Sequence, residues 1–204
     1  GKDVIRRCNK LGIMIDISHA GEQTVLDILS ITTKPIIASH SSVYSLCPQF
    51  RNLKDEQLFA IKDNGGVVFV NFYPGFIDST FFKKEQGLKE LHSALLDSVD
   101  DLYGENSTIG YYKKSELLRS YYDEIVPDLN DVIDHIDYIK DLIGVDHVGI
   151  GADWDGVEAL PKGIEHIGKM PIITEKLIER GYSVRDVKKI LGGNFKRVFM
   201  EVTK

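Results

Sequence analysis

The sequence contains few cysteines, no excess of basic residues and no long hydrophobic run. Cys8 and Cys47 are the only two cysteines among 204 residues, and neither lies in a C-x-x-C pattern. Their scarcity excludes a disulfide framework and favours a reduced, cytoplasmic location. The chain carries 25 basic and 31 acidic side chains, which give a formal net charge of −6. Because surfaces that bind nucleic acid are strongly basic, we predict no nucleic-acid partner.

No apolar stretch approaches the ~20 residues that cross a bilayer, so we predict no membrane segment in this chain. The content of 43% hydrophobic and 27% charged residues is typical of a globular domain. The chain opens on a basic amphipathic stretch, Gly1 to Lys10, which is typical of the middle of a helix and has no initiating Met. We therefore expect further residues upstream, where an N-terminal targeting segment would lie.

Four short apolar runs, each bounded by Gly, Pro, Ser or Asn, predict buried strands. They are Gly12–Ile17, Pro35–Ala38, Gly66–Asn71 and His147–Gly151. Residues 22–31 and 54–63, which separate the first three runs, have apolar side chains at helical spacing. Strands that alternate with helices in this way predict an α/β fold with parallel pairing and right-handed crossovers.

The third crossover is the longest and runs from Pro74 to Gly144. Its last part, residues 127–143, has apolar residues at helical spacing and predicts an amphipathic helix. The stretch 80–122 is charged and aromatic, and we predict that it forms a helical insertion covering one end of the sheet. Further helices are predicted near the C-terminus. They are residues 171–180, a helix that starts at the capping sequence Ser183-Val-Arg-Asp186, and residues 194–202.

Polar side chains follow each of the four predicted strands. These segments are Asp16-Ile-Ser-His19, Ser39-His40, Asn71-Phe-Tyr73 and Asp153-Trp-Asp155. Because the carboxyl ends of parallel strands meet at one edge of a sheet, the loops there collect functional residues. A single histidine at a strand end is more often a hydrogen-bonded structural residue than a ligand. Two on consecutive strands, with an aspartate on a third, are the ligand types of a hydrolytic zinc that keeps a position open for water.

The same residues resemble those of the membrane (renal-type) dipeptidase family, whose members are zinc-dependent peptidases. The resemblance rests on an ordered set of segments that covers the chain outside the predicted insertion. They are Leu11-Gly-Ile-Met-Ile-Asp-Ile-Ser-His-Ala20, Pro35-Ile-Ile-Ala-Ser-His-Ser-Ser42, Arg51-Asn52, Val70-Asn-Phe-Tyr73, Asp134-His-Ile-Asp-Tyr-Ile139 and Val148-Gly-Ile-Gly-Ala-Asp-Trp-Asp-Gly156. An ordered set of this kind is more specific than any one motif.

The resemblance implies a TIM-like (β/α)8 barrel with two zinc ions at the carboxyl ends of its strands. This chain would supply the C-terminal half, strands five to eight, as one partial-barrel domain over residues 1–204. By resemblance, His19 and His40 bind one Zn²⁺ and Arg51 holds the free carboxylate of a dipeptide. Asp153 would transfer the proton, and Tyr73 would lie near the substrate. The family's other zinc ligands, its bridging Glu and a further catalytic His are expected upstream of this chain.

Two further acidic residues near the predicted site have less specific interpretations. Asp155 shares the predicted strand face of Asp153, so either carboxylate could carry the proton. The resemblance favours Asp153. Asp16 is interpreted as orienting His19 or a neighbouring backbone group.

The remaining histidines and Cys47 are expected to lie outside the catalytic chemistry. The string His135-Ile-Asp137 falls in the predicted amphipathic helix, where residues two apart point in different directions, so we interpret it as a solvated helix face. We expect His92 and His166 to be exposed, and His147 to lie at the end of its strand away from the site. Cys47 is expected to be a buried free thiol.

Three functions are compatible with this sequence. The first is part of an active dipeptidase that hydrolyses the peptide bond of dipeptides, and the resemblance is compatible with a homodimer. The second is a non-catalytic half-barrel that binds or assembles with another protein, and the third is a related metal-dependent amidohydrolase with another amide substrate. Because two histidines fall short of the three protein ligands of a catalytic zinc, the 204-residue chain alone is expected to be inactive.

Overall fold

The structure, a computed structural model, describes residues 1–204. It contains eleven α-helices and three β-strands. In chain order they are α1 (Lys2–Leu11), α2 (Glu22–Leu29), β1 (Ile37–Ala38), α3 (Asp55–Asn64), β2 (Val67–Val70), α4 (Pro74–Ile77), α5 (Phe81–Leu91), α6 (Ser93–Tyr103), α7 (Thr108–Ile125), α8 (Leu129–Ile143), β3 (Val148–Ile150), α9 (Met170–Glu179), α10 (Val184–Lys188) and α11 (Asn194–Val202). None of these helices combines the length and the apolarity needed to cross a lipid bilayer.

A parallel sheet with the strand order β1–β2–β3 lies at the centre of the fold. Its register pairs Ile37 with Val67 and Val68 with Val148. All four residues of β2 are buried, which explains why this strand has no polar alternation in its sequence. The predicted α/β class and parallel pairing are therefore confirmed for these three strands.

The prediction of a full strand over Gly12–Ile17 is wrong. The segment forms only a parallel bridge between Asp16 and Ile37. Two hydrogen bonds make this bridge, because Ile37 N–H donates to the Ile15 carbonyl at 3.0 Å and Ile17 N–H donates to the Ile37 carbonyl at 2.9 Å. The segment lies at the edge of the sheet, where it has a pairing partner on one side only. It still brings the residues after Ile17 alongside those after β1.

Helix α8 is the main helical wall of the core. Its buried residues recur at helical spacing on the face toward the sheet. They are Leu129, Val132, Ile133, His135, Ile136, Ile139 and Ile143. The helix begins after Asp128, whose carboxylate accepts the N–H of Asn130 at 2.6 Å, and it ends at Gly144, which has a φ of 99°. The helix predicted over 127–143 is confirmed, with its first two residues forming the N-terminal boundary.

The interpretation of His135 as part of a solvated helix face is wrong, because its side chain is only 1% exposed. The Nδ1 atom of His135 accepts the N–H of Val43 at 3.0 Å, and its Nε2 lies 3.1 Å from the carbonyl of Ile77. Burial lowers the pKa of His135 to about 4. The neutral ring therefore joins α8 both to the loop after β1 and to the end of α4.

Helices α5 and α6 and most of α7 lie within residues 80–122. They enclose a small core of their own, separate from the one around the sheet. Its buried members are Phe81, Leu88, Leu118, Tyr122, Val126 and Ala159. Tyr73 packs against this small core, and the Tyr122 hydroxyl donates to Glu85 at 2.7 Å. These contacts place the three helices beside the loops that follow β2 and β3.

Helix α11 covers the second face of the sheet near the amino ends of the strands. Its buried side chains, Val198 and Val202, join a cluster with three strand residues, Ile37, Val67 and Phe69. Arg197 donates to the carbonyls of Gly65 at 2.7 Å and Asp146 at 2.8 Å, just before β2 and β3. Because α11 lies at the amino ends, the loops at the carboxyl ends are the ones left to form a site.

Candidate active site

His19 and His40 come together at the carboxyl edge of the sheet, as the sequence predicts. The Nε2 atom of His40 lies 2.8 Å from the Nε2 atom of His19. The two ring centroids are 4.8 Å apart, and the ring planes are tilted by 60°. His40 lies two residues after β1 and His19 lies three residues after the bridge at Asp16, so the parallel pairing of these two segments aligns the two imidazoles.

Two non-glycine residues have a positive φ, and both belong to the predicted site. His19 has a φ of 69° and Asp153 has a φ of 57°. In this left-handed region the Cβ of an L-residue crowds the backbone, which costs on the order of 1–3 kcal/mol per residue. Backbone strain of this kind clusters at functional sites, where the surrounding structure holds the residue in the unfavourable conformation.

The charge of Asp153 reaches both His40 and Arg51. Burial is the largest effect on His40 and lowers its pKa, and Asp153 partly opposes this effect. Burial likewise lowers the pKa of Arg51, again with Asp153 acting in the opposite direction. A Cβ at Gly156 would lie 2.3 Å from Oδ1 of Asp153. The absence of a side chain at position 156 therefore leaves room for the Asp153 carboxylate.

Arg51 lies directly against the histidine pair. Its Nη1 atom is 2.9 Å from Nδ1 of His19 and 3.3 Å from its Nε2. Its Nη2 atom is 3.5 Å from the carbonyl oxygen of His40. The guanidinium carbon lies 5.4 Å from the centre of the Phe76 ring, a distance at which a cation is attracted to an aromatic face.

Asn52 ties the loop that carries Arg51 to helix α4. Its buried amide nitrogen donates to the carbonyl of Cys47 at 2.8 Å and to that of Phe76 at 2.9 Å. Cys47 is itself fully buried, and burial raises the pKa of its thiol to about 11. The thiol thus stays protonated at neutral pH and packs as a structural group, in agreement with the expectation for Cys47.

Tyr73 does not contact the histidine pair; it packs on Phe76, which in turn lies against Arg51. The Tyr73 ring packs edge-on against Phe76 with the ring centres 5.0 Å apart, and it also contacts Phe81 and Phe82 at 5.9 and 6.2 Å. Burial raises the pKa of Tyr73 well above its usual range. The ring therefore belongs to an aromatic wall beside Arg51, and its hydroxyl stays protonated at neutral pH.

Several polar groups behind the site were missed from the sequence, above all Ser18 and Ser39. Ser39 Oγ lies 2.5 Å from a carboxylate oxygen of Asp16 and 2.7 Å from Nδ1 of His40. Ser18 Oγ accepts the backbone N–H of His40 at 3.0 Å. A serine precedes each site histidine in the sequence, and this repeated Ser-His pair was the available indication. Asp16, interpreted as a supporting residue, contacts the His40 side of the pair.

Gly151, which follows β3, brings the loop of Asp153 against the loop of His40. A Cβ at this position would lie 1.9 Å from the backbone oxygen of Ser39 and 2.8 Å from the Cβ of Phe69. Only glycine permits this approach. The main chain after β3 therefore packs directly on the main chain that precedes His40.

The other acidic and histidine residues considered from the sequence lie outside the histidine pair. Asp155 lines a cavity of about 520 Å³ between α7 and the loop after β3, together with Trp154 and Glu158. His147 Nδ1 lies 2.8 Å from the Gly66 carbonyl, at the amino end of the strands. The remaining two histidines lie away from the histidine pair, His92 half-buried and His166 exposed at the rim of the same cavity. His92 packs on the ring of Tyr121, and His166 accepts the N–H of Gly168.

The donor set fits part of a zinc site. His19 and His40 present imidazole nitrogens toward each other, and imidazole nitrogen is a preferred zinc ligand. No group of three His, Cys, Asp or Glu side chains in the chain is arranged to hold a metal ion. The chain therefore provides two ligands of suitable chemistry, fewer than the three protein ligands of a catalytic zinc.

Comparisons with known proteins identify the family to which this chain is similar. A model of the membrane dipeptidase family (peptidase family M19) matches residues 1–204. The dipeptidase aclJ of Aspergillus oryzae is 31% identical over 202 residues, which cover 99% of this chain and 38% of that protein.

Solved structures give the same relationship. The crystal structure of the probable dipeptidase PvdM from Pseudomonas aeruginosa superposes with a TM-score of 0.78 at 30% identity, covering 100% of this chain and 54% of that one. A metallopeptidase from Rhodobacter sphaeroides, liganded with a phosphinate mimic of the dipeptide L-Ala-D-Ala, gives a TM-score of 0.73 at 25% identity over 99% of this chain and 46% of that one. The chain thus spans about half the length of these structures and less of aclJ. It belongs to the membrane dipeptidase family, peptidase family M19.

Proposed function

We propose that this chain forms part of a zinc-dependent dipeptidase and contributes two histidine ligands, a substrate clamp and a proton-transfer carboxylate. The observation that carries the proposal is the 2.8 Å approach of the His19 and His40 Nε2 atoms, with Arg51 in contact with the same pair. Asp153 influences both His40 and Arg51 by its charge. Metal-dependent hydrolysis of a dipeptide can use two imidazole ligands for the metal, a guanidinium that binds the substrate carboxylate and a carboxylate that transfers the proton.

Each residue has a distinct role in the proposed reaction. When bound, Zn²⁺ supplies Lewis-acid chemistry that makes a water nucleophilic near neutral pH and polarises a carbonyl. Asp153 accepts a proton from the attacking water and delivers it to the leaving amine nitrogen. Its main chain has a φ of 57°, a strained conformation of the kind that clusters at functional sites.

Arg51 is proposed to hold the free carboxylate of the dipeptide. The planar guanidinium can donate two parallel hydrogen bonds to that group, which fixes the distance from the carboxylate to the scissile bond. Phe76 and Tyr73 support the guanidinium from one side as an aromatic wall. The dipeptide mimic bound to the Rhodobacter sphaeroides relative supports a dipeptide as the substrate class.

The chain is also proposed to be one half of a (β/α)8 barrel, in which β1, β2 and β3 are the sixth to eighth strands and the Asp16 segment is the fifth. Two observations support this proposal. The chain superposes along its whole length on about half of two larger solved structures. Its three strands are parallel and adjacent in chain order, as in a barrel. The predicted insertion at 80–122 would then cover the carboxyl ends of the barrel strands. The homodimer and the cytoplasmic location stay predictions.

Removal of either histidine is expected to remove Zn²⁺ binding. Replacing His19 or His40 by alanine should weaken the affinity of the chain for Zn²⁺ more than about 100-fold, since loss of even an outer partner of a zinc ligand costs ~10–100-fold. Isothermal titration with ZnCl₂ measures this change. His166→Ala is the matched control, because His166 makes only a local backbone contact, and equal affinities for all three variants would contradict the proposal.

Arg51→Lys is expected to raise the KM for dipeptides by about 10- to 100-fold, because a lysine cannot replace two charge-assisted hydrogen bonds from one planar group. The measurement is steady-state hydrolysis by a complete dipeptidase that contains this chain, with metal content determined in parallel. Metal content should not change. Arg185→Lys, at an exposed position on α10, should leave KM unchanged, and loss of zinc from the Arg51 variant would assign Arg51 a structural role instead.

A further inference from the structure

A line of hydrogen bonds runs behind the histidine pair, on the side of His40 that faces away from His19. Ser39 Oγ lies 2.5 Å from Oδ2 of Asp16 and 2.7 Å from Nδ1 of His40. The other carboxylate oxygen of Asp16, Oδ1, accepts the backbone N–H groups of Ser18 and Ser39, both at 3.0 Å. The carboxylate thus has a fixed orientation, with Oδ1 toward two amides and Oδ2 toward a hydroxyl.

The hydrogen atoms in this line can be counted. An ionised carboxylate accepts hydrogen bonds only, and a serine hydroxyl has a single hydrogen to donate. Ser39 must give that hydrogen to Asp16, so its oxygen can only accept from His40. Nδ1 of His40 therefore carries the ring proton, and Nε2 of the neutral ring keeps its lone pair. That lone pair faces Nε2 of His19.

We propose that Asp16 and Ser39 are positioning residues that fix the tautomer of His40, with the proton on Nδ1 and Nε2 free to bind a metal. The metal part of this proposal rests on the proposed function, whereas the tautomer does not. Zinc ligands need an unprotonated imidazole nitrogen, and the partner of the other ring nitrogen decides which one is available.

Ser18 lies beside this line of hydrogen bonds but contacts the main chain of His40 instead of its ring. Its Oγ accepts the backbone N–H of His40 at 3.0 Å and lies 3.2 Å from Oγ of Ser41. Ser18 therefore helps to place the main chain at His40 and has no contact with the ring. This difference makes Ser18→Ala a matched control, since it removes a neighbouring serine hydroxyl and leaves the Asp16–Ser39–His40 line intact.

Two-bond ¹⁵N–¹H correlation spectra of the chain without metal, recorded near pH 8, distinguish the two ring tautomers directly. In the wild-type chain the proton of His40 is expected on Nδ1. Ser39→Ala removes the acceptor, so His40 should become a mixture of tautomers. Ser39→Thr keeps the hydroxyl and should restore the wild-type spectrum, and Ser18→Ala should retain it.

Asp16→Asn gives the sharpest test because it should reverse the tautomer. Two backbone N–H groups face Oδ1 of Asp16, so the amide oxygen of the asparagine must take that place and its NH₂ group must face Ser39. The amide then donates to Ser39, and Ser39 donates to Nδ1 of His40. The ring proton moves to Nε2.

Zinc titration of the same variants gives the second readout. Affinity should fall about 10- to 100-fold in Ser39→Ala and Asp16→Asn and stay near wild type in Ser39→Thr. A wild-type His40 that is protonated on Nε2, or an Asp16→Asn spectrum equal to that of the wild type, would overturn the proposal. A complete dipeptidase that contains this chain and binds no Zn²⁺, while the tautomers change as expected, would contradict the proposed function alone.

Discussion

Replacing Asp153 by asparagine is expected to lower the kcat for dipeptide hydrolysis by about 10²- to 10⁴-fold, the range contributed by a positioned general acid–base group. The amide is nearly the same size as the carboxylate and preserves its packing near Gly156, but it cannot accept the proton of the attacking water. The KM should change less than kcat, because Arg51 and not Asp153 is proposed to hold the ground-state substrate. The assay requires a complete dipeptidase that contains this chain.

Asp155→Asn is the matched control for this substitution. Asp155 lies two residues away and lines the cavity beside α7, and its charge is not among those that shift the pKa of His40 or Arg51. We expect its kcat to stay within about 3-fold of the wild type, since exposed substitutions away from such contacts have small effects. A larger loss in Asp155→Asn than in Asp153→Asn would transfer the proton-transfer role to Asp155.

Acidification below pH 6.5 is expected to destabilise the fold through His135. Burial lowers the pKa of His135 to about 4 in the folded chain, whereas an unfolded histidine has a pKa near 6.5. Above pH 6.5 the ring is neutral in both the folded and the unfolded state, and it makes its full contribution to the free energy of unfolding. Between pH 6.5 and 4 only the unfolded state binds the proton, so the free energy of unfolding falls, by on the order of 3 kcal/mol at pH 4.

His135→Gln isolates this contribution. The glutamine oxygen can accept the N–H of Val43 and its amide can donate to the carbonyl of Ile77, which are the two partners of the histidine. The variant lacks a titratable group at this position. Urea unfolding from pH 7.5 to pH 4.5 should therefore show a shallower loss of stability than in the wild-type chain.

His166→Gln is the control for replacing a histidine by glutamine at an exposed position, and we expect its stability to match that of the wild type. Parallel curves for the wild type and His135→Gln would show that His135 takes up its proton in the folded chain as easily as in the unfolded one. That result would contradict the burial of the neutral ring. The comparison between variants removes the contribution of the carboxylates, which titrate in the same range.

The sequence predicted most helices and the parallel strands because both depend on local patterns. Helix α8 follows the apolar spacing of residues 127–143, and β2 is the apolar run 66–71 without its ends. The segment 12–17 has the same apolar, β-branched composition but forms only one bridge. Pairing at an edge depends on the neighbour that is available, and no pattern within the six residues themselves contains that information.

His135 shows a second limit of sequence patterns. It lies on α8 between core positions, and its spacing of two residues from Asp137 suggested a solvated helix face. Its burial is decided by two backbone groups, those of Val43 and Ile77, which are 92 and 58 residues away in the chain. A buried polar side chain is stable only where such partners exist, and only the tertiary structure shows them.

The candidate site was predicted in outline for a topological reason. Parallel strands place their carboxyl ends together, and this rule alone brings His19, His40 and Asp153 to one edge. The supporting groups were missed because their roles depend on distances between loops. Ser39 acts through a 2.7 Å contact with Nδ1 of His40, and Phe76 acts through the guanidinium that lies over its ring. The chemical roles of all these residues stay predictions until the variants are measured.

The contact at Gly151 bears on how such a protein can change over time. Main chain meets main chain there, at a distance that admits no Cβ, so any residue other than glycine at position 151 would push the Asp153 loop away from the His40 loop. Substitutions in the surrounding walls can accumulate and alter which substrates fit, while the separation of the two reactive loops is preserved. Selectivity can diverge among descendants without a change in that separation as long as position 151 stays glycine.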